Sequence, residues 1–129
     1  MSVAISRSLL DRLLAEAAAS GVEICGLLLG AADRIDEARA ARNIASDPAR
    51  FFEVDPDVLF FAIRAARDGG PAVVGHYHSH PSGAPQPSPR DAAAAPGDDA
   101  LWLILAKGEA RLWRNVADGR FDAVTLIVA

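Results

Sequence analysis

The feature that most constrains the fold is a short apolar run over residues 24–32, which begins directly after Glu23. It is the longest run in the chain without a charged or strongly polar side chain. A membrane-spanning helix needs about 20 apolar residues, so this run is far too short to cross a bilayer. A short continuous apolar run between turn signals is typical of a fully buried strand. We therefore predict a buried β-strand over residues 23–30.

Hydrophobic periodicity around this strand predicts a sheet with helices packed on it. Leucines at helical spacing predict a helix over residues 6–20. Asp55 followed by Pro56 is a helix start, and that helix is expected to end near Asp68, before two glycines. Further strands are predicted over residues 72–80, 101–106, 109–113 and 121–128, with a weaker one over 34–44. The order predicts a mixed α/β (α+β) domain in which helices flank a central mixed β-sheet.

Size, charge and cysteine content limit the number of domains, the binding partners and the compartment that we expect for this protein. With 129 residues and a prior of about 150 residues per domain, we expect a single domain over residues 1–129. Thirteen basic and seventeen acidic side chains give a net charge of −4, which offers no electrostatic footprint for nucleic acid or an anionic membrane. Cys25 is the only cysteine and cannot form an internal disulfide, so we expect a cytoplasmic protein.

All three histidines of the chain, His76, His78 and His80, lie within five residues. Side chains alternate along a strand, so the three rings are expected on one face. Neighbouring rings on that face are about 6.6 Å apart along the strand, and two can converge on a metal about 2.0–2.1 Å from each nitrogen. Spacing alone offers either the first two or the last two histidines as the pair. Chance clustering on a partly exposed strand is the alternative.

A third ligand is expected close by, and Asp91 is the first acidic residue after the histidines. It ends the sequence Ser88-Pro89-Arg90-Asp91, which is also the signature of a helix start in which Ser88 and Asp91 form a capping box. Taken alone, the capping interpretation is the stronger one. The capping box and the role of Asp91 as a ligand are compatible in part, because a capped helix start holds a ligand residue rigidly.

A hydrolytic metal site also needs a carboxylate that moves protons. The candidates are Glu23, Glu37, Glu53, Asp55 and Asp57. Glu23 is unusual because it opens the most apolar strand of the chain, although local sequence favours a residue that caps the strand at the surface. Cys25 is expected to be a small buried hydrophobic residue rather than a nucleophile paired with a histidine.

Together these segments resemble the JAMM metalloproteases, also called MPN-plus domains. The family pattern is a glutamate before a Cys-Gly-Leu-Leu-type strand, then His-x-His-Pro, then Ser-x-x-Asp. Here the pattern spans Glu23 to Gly30, His78 to Pro81 and Ser88 to Asp91, and the entry to the second helix is also similar. The resemblance covers nearly the whole chain and implies a cytidine-deaminase-like MPN/JAMM fold.

The resemblance also implies roles for single residues. It makes His78, His80 and Asp91 the ligands of one zinc ion, Glu23 the general base and acid, and Ser88 the hydroxyl that stabilises the oxyanion. His76 is then not a ligand.

For the substrate, the resemblance is to the compact prokaryotic members, because the long insertions that grip ubiquitin chains are missing. It implies a zinc metallopeptidase or isopeptidase that cuts after the C-terminal Gly-Gly of a ubiquitin-like or sulfur-carrier protein. We expect the tail to pair with an open strand edge beside the site. The alternative is a non-catalytic MPN-type module that binds a partner's tail. Neither nucleic acid nor membrane is an expected partner, and the oligomeric state, a dimer included, stays open.

Overall fold

The computed structural model describes all residues, from Met1 to Ala129. The elements in chain order are β1 (Ser2–Ile5), α1 (Arg7–Ala18), β2 (Cys25–Ala31), β3 (Arg34–Ala41), α2 (Pro56–Arg67), β4 (Ala72–Ser79), α3 (Pro89–Ala94), β5 (Leu101–Ala106), β6 (Glu109–Ala117) and β7 (Arg120–Val128). The predicted mixed α/β class, with a central mixed sheet and flanking helices, is confirmed.

All seven strands form one sheet that closes on itself in the order β1-β3-β2-β4-β5-β6-β7. β1 runs parallel to both β3 and β7 and joins them, while β4 and β5 form the other parallel pair. The sequence prediction lacked β1, because four residues are too short a run to show the alternation that marks a strand.

The strand that carries the histidines lies in the middle of the sheet. β4 pairs antiparallel with β2 on one side and parallel with β5 on the other. The expected open strand edge beside the site is therefore wrong. Both edges of β4 are already occupied by backbone hydrogen bonds, and the closed sheet order could not be deduced from local sequence.

Helix starts follow the sequence signals. Ser6 caps α1, with its Oγ accepting a hydrogen bond from the backbone N–H of Leu9 at 3.1 Å. Asp55 caps α2 by accepting from the N–H of Asp57 at 3.1 Å, and Pro56 occupies the first turn as predicted. No helix of the protein is both long and apolar enough to cross a membrane.

The main core lies on the face of the sheet against which α1 packs. It contains Leu13 of α1, Leu28 of β2, Tyr77 of β4 and Leu103 of β5, each no more than 1 % exposed. Gly26 makes room for the Tyr77 ring, which a Cβ at that position would overlap. Because Tyr77 points into this core, strand alternation turns His76 and His78 to the opposite face, as predicted.

Candidate metal centre

The candidate site forms where β4 ends beside the start of β2. Cys25 is the register partner of His78, so the residues just before β2 lie next to the histidines. Ser79 extends this contact, since its Oγ accepts from the N–H of Ile24 at 2.9 Å and its own N–H donates to the carbonyl of Ile24 at 3.0 Å. The register of the two strands thus brings Glu23, from a distant part of the sequence, to the histidines.

Three side-chain atoms converge at this point. The Nε2 atoms of His78 and His80 are 3.2 Å apart, and Asp91 Oδ2 lies 3.2 Å from the first and 3.1 Å from the second. The structure therefore brings together the last two histidines and the carboxylate that the sequence singled out. His80 directly follows β4, and its backbone N–H still donates to the carbonyl of Leu105 of β5 at 2.9 Å, so its side chain stays on the strand face that it shares with His78.

The donor atoms of this triangle fit a zinc ion. A tetrahedral zinc with ligands about 2.0–2.1 Å away places its ligand atoms roughly 3.3 Å apart, close to the three separations observed. Two imidazole nitrogens and a carboxylate oxygen are ligands that zinc accepts. The Nδ1–H of His80 donates to the carbonyl of Ala84 at 2.8 Å, which leaves the Nε2 lone pair directed at the centre of the site. The Nδ1 atom of His78 is buried without a hydrogen-bond partner.

His76 lies outside the triangle. Its ring packs 4.3 Å from the ring of Trp102, and its centroid is 6.0 Å from that of His78. Its Nδ1 atom is buried and has no partner. Burial lowers the pKa of His76 to about 3, so the ring is neutral at physiological pH. The structure uses His76 as a packing residue behind the site.

Glu23 is buried, with 4 % of its surface exposed, so the expectation that it caps the strand at the surface is wrong. One of its carboxylate oxygens lies within 4.8 Å of the ring nitrogens of both His78 and His80. Burial raises the pKa of Glu23 to about 7, an effect that the nearby Asp91 strengthens and His80 opposes. A carboxyl group with a pKa near neutrality can both accept and release a proton.

Asp91 and Ser88 form the predicted capping box. Ser88 Oγ accepts from the N–H of Asp91 at 3.0 Å, and Asp91 Oδ2 accepts from the N–H of Ser88 at 2.9 Å. The same Asp91 oxygen is the one that contacts both histidines. The cap uses Ser88 as an acceptor only, so its O–H remains available as a donor. Capping and a role at the site are thus compatible for both residues.

The charge states of the triangle follow from burial and mutual contact. Burial lowers the pKa of His78, although Asp91 opposes this. Burial would also lower the pKa of His80, but its hydrogen bonds to Asp91 and to the carbonyl of Ala84 outweigh burial and raise it. Burial would raise the pKa of Asp91, yet its hydrogen bonds with both histidines outweigh that effect and lower it. The site therefore holds an ionised carboxylate between two imidazoles.

Cys25 is not suited to nucleophilic chemistry. The side chain is 2 % exposed, and its Sγ donates a long 3.8 Å hydrogen bond to the carbonyl of Ala41. Burial, together with the negative charge of Glu23, raises the pKa of the thiol to about 11. Because the thiolate is the nucleophilic form, Cys25 is inert near neutral pH. The prediction of a small buried hydrophobic residue agrees with this environment.

Access to the triangle is from a polar cavity of about 400 Å³. Glu23, His80 and Ser88 line it, and Arg50 is the only lysine or arginine among the lining residues. The rest of the lining is Gln86, two prolines and four small residues, among them Ala49 and Gly83. A second cavity of about 380 Å³ lies beyond Asp91 and is lined by Phe52, His76 and Trp102. The site is a shallow cleft at the surface.

A family model described as prokaryotic homologues of the JAB domain matches residues 6–116. The chain belongs to this family. A desampylase from Pyrococcus furiosus is 32% identical over 125 residues, which cover 96% of this chain and 89% of that protein. A desampylase from Haloferax volcanii is 34% identical over 86 residues, covering 65% of this chain and 62% of that protein. The resemblance to a compact prokaryotic JAMM/MPN domain is thereby confirmed.

Solved structures show the same JAB/MPN fold. A solution structure of a protein from Desulfitobacterium hafniense superposes with a TM-score of 0.82 at 23% identity, covering 98% of this chain and 92% of the other. A crystal structure of a JAB1/MPN domain protein from Archaeoglobus fulgidus has a TM-score of 0.61 at 22% identity, with 98% of each chain covered.

Sequence reasoning missed residues of this JAB-domain protein that lie between β3 and α2. The ring of Phe52 stacks on His78, with centroids 4.2 Å apart and planes 19° apart. The guanidinium carbon of Arg90 lies 3.5 Å above the Phe51 ring and links this segment to α3. Aromatic residues in an irregular segment carry no periodic signal. The one available indication was that residues 51–56 resemble the family's entry to its helix.

Proposed function

We propose that this JAB-domain protein is a zinc-dependent hydrolase that cuts the bond after the C-terminal Gly-Gly of a ubiquitin-like or sulfur-carrier protein. The proposal includes one catalytic domain over residues 1–129. The observation that carries it is the triangle of His78, His80 and Asp91 with a buried glutamate beside it. Both curated relatives are named desampylase, which supports isopeptidase activity on a ubiquitin-like protein.

In this proposal His78, His80 and Asp91 hold the metal, and three protein ligands leave one position of a tetrahedral site open. Zinc bound there would supply a Lewis acid that activates water at neutral pH. Glu23 accepts a proton from the attacking water and passes it to the leaving nitrogen, which its pKa of about 7 favours. The O–H of Ser88 donates to the carbonyl oxygen as negative charge develops there.

The shape of the cleft supports a flexible, small-residue tail as substrate. The cavity of about 400 Å³ is open and shallow, and its lining includes Gly83 and Ala49 beside Glu23 and His80. A tail of glycines brings its backbone close to the triangle, where a larger side chain would meet the wall. Because β4 has no free edge, the tail is held by the cleft and its flanking segments rather than by pairing with β4.

The competing function is a non-catalytic module that binds the tail without cutting it. Burying the carboxyl group of Glu23 is energetically costly, and a binding module has no need of it. The raised pKa of Glu23 next to a set of metal-ligand types favours the enzyme, since perturbed carboxyl groups cluster at catalytic sites. The partner is then a folded protein with a protruding tail, and the single buried thiol fits a reducing compartment such as the cytoplasm.

The test uses two fusions of one ubiquitin-like protein, one in which Gly-Gly precedes an extension and one in which Val-Val does. The zinc-loaded protein is expected to cut the first and leave the second intact, and chelation should abolish cleavage. Glu23→Gln should retain zinc and lose about 10²–10⁴-fold in rate, the usual contribution of a general acid–base group. Equal cutting of both fusions, or binding of the tail without any turnover, would contradict the proposal.

A further inference from the structure

The side chain of Asn43 is the most highly connected polar group near the candidate site. Its Nδ2 donates to the carbonyl oxygens of Glu23 at 2.9 Å and Phe51 at 3.1 Å, with a longer contact of 3.4 Å to that of Pro48. Its Oδ1 accepts from the N–H groups of Ala45 at 3.0 Å and Glu53 at 3.1 Å. A side-chain amide has two N–H donors and an oxygen with two lone pairs, so its capacity is fully used.

The orientation of this amide is determined by its partners. Carbonyl oxygens surround the nitrogen, and backbone N–H groups face the oxygen. Rotating the amide by half a turn would set oxygen against oxygen and N–H against N–H, so the network allows one orientation. Each side of the Asn43 amide thus hydrogen-bonds only to backbone groups of the matching type.

The groups that Asn43 joins belong to two parts of the proposed catalytic apparatus. We call residues 44–53 the site loop. Glu23 is held on both sides of its backbone, because its N–H donates to Pro48 of the site loop at 2.7 Å and its carbonyl accepts from Asn43. Near its other end the site loop carries Phe52, whose ring stacks on His78. One amide therefore joins the proposed base to the residue that covers a proposed ligand.

The site loop has little regular structure of its own. Asn43 and Val54 form an isolated bridge at its base, where the N–H of Ile44 also donates to the carbonyl of Glu53 at 3.0 Å. Without the Asn43 amide, the carbonyls of Glu23 and Phe51 lose the partner that fixes them. A displacement of about 1 Å at a catalytic group can cost on the order of 10²-fold in rate.

We propose that Asn43 is a positioning residue, which holds Glu23 and Phe52 in place relative to His78 and His80. The inference rests on the proposed function, in which Glu23 moves the proton. It assigns to Asn43 no contact with the substrate or the metal.

The fold provides a matched control in Asn115, at the far end of the sheet. It is fully buried, its Nδ2 donates to the carbonyls of Ala117 and Arg120, and its Oδ1 accepts from the N–H of Gly97. Like Asn43, it satisfies three backbone groups, which here belong to β6, to β7 and to the segment between α3 and β5. Asn115→Ala therefore removes a comparable structural network without touching the candidate site.

The experiment measures kcat and KM on the Gly-Gly fusion, with zinc-loaded protein, for Asn43→Ala and Asn115→Ala. Both variants are expected to melt at a lower temperature. Asn43→Ala should lose about 10²-fold in kcat, as expected for a misplaced catalytic group, with KM within a few-fold of the parent. Asn115→Ala should keep its kcat. If Asn43→Ala does not fold, Asn43→Asp replaces it, since it keeps the two acceptor contacts and loses the donors to Glu23 and Phe51.

A second measurement does not depend on activity. Amide hydrogen exchange at Glu23, whose N–H donates to Pro48, should become at least tenfold faster in the Asn43 variant and stay unchanged in Asn115→Ala. If the parent cuts no fusion, the proposed function fails while the exchange data still decide the role of Asn43. Parental exchange at Glu23 in the Asn43 variant, or a parental kcat, would overturn the inference.

Discussion

At the scale of single residues, the candidate site depends on which atoms each side chain leaves free. His80 uses Nδ1 to donate to Ala84, and Asp91 turns one oxygen to both histidines and to the helix cap. Sequence spacing could predict that the histidines share a face. It could not choose between the two pairs of histidines, because that choice depends on where α3 places Asp91.

The first prediction concerns the metal ligands. His78→Ala should reduce the bound zinc from one per chain to none, because it removes one of the three converging donor atoms. His76→Ala is the matched control on the same strand face and should retain most of the zinc, since His76 packs against Trp102 outside the triangle. Metal analysis of both purified variants is the measurement. Stoichiometric zinc in His78→Ala would show that the ligand set is wrong.

The second prediction follows from the raised pKa of Glu23. The folded protein keeps the Glu23 proton up to about pH 7, whereas the unfolded chain releases it near its ordinary value of 4.5. The folded state therefore binds more protons between these values, and this contribution to stability is lost as the pH rises through about 7. Glu23→Gln, which does not titrate, should gain stability relative to the parent between pH 5 and pH 8.

Denaturant unfolding of both proteins in the presence of a chelator, at pH 5 and pH 8, measures this difference. Groups that do not interact with Glu23 contribute equally to both proteins and cancel in the comparison. The Glu23 charge also raises the pKa of His80, so the difference between the two proteins reports Glu23 together with its effect on His80. An unfolding free energy that changes with pH by the same amount in the parent and in Glu23→Gln would mean that Glu23 has an ordinary pKa in the folded protein.

At the scale of elements, α3 shows how a local signal and a site can coincide. Its capping box was predictable, because it depends only on residues three positions apart. What no local pattern shows is that the capping carboxylate also contacts two histidines on β4. Ser88 also has two possible roles, since it lines the cleft beside Glu23 and caps α3.

The third prediction separates these two roles of Ser88. Ser88→Ala should cost about 1 kcal/mol of stability through loss of the cap. It should also lower kcat by about 10²–10³-fold, the usual effect of removing an oxyanion donor. Ser6→Ala, which removes the matching cap of α1, is the control. It should show a similar stability loss with parental turnover.

Melting temperature and turnover are measured on the same preparation of each variant. Equal turnover in Ser88→Ala and Ser6→Ala would leave Ser88 as a helix cap alone.

At the scale of the whole molecule, closure of the sheet depends on β1. The family match begins at residue 6, so this strand lies outside it. Val3 and Ile5 of β1 are no more than 2 % exposed, and Ile5 is the register partner of Ile35 on one side and Val128 on the other. This small element therefore joins the first and last parts of the chain.

The fourth prediction tests the contribution of β1 to stability. Ile5→Ala should lower the free energy of unfolding by about 2–5 kcal/mol, as large-to-small substitutions in a core do. Ile127→Ala, on the adjacent β7 but 48% exposed, should change it by no more than about 0.5 kcal/mol. Both should retain zinc, because neither residue contacts the triangle. Equal, small effects in denaturant unfolding would show that β1 does not stabilise the sheet.

The sequence by itself determined every helix and strand except β1, together with the types of the candidate ligands, because these depend on neighbours within one helix turn or one strand face. The periodicity of α1, the Asp55-Pro56 start of α2 and the alternation of the histidines are signals of that kind. Tertiary structure alone decided the closure by β1, the burial of Glu23 and the linking role of Asn43. These depend on strand register and on contacts between residues far apart in the chain, such as Asn43 with Glu23 and Cys25 with His78. A local pattern of residues does not show which distant segments of the chain come into contact.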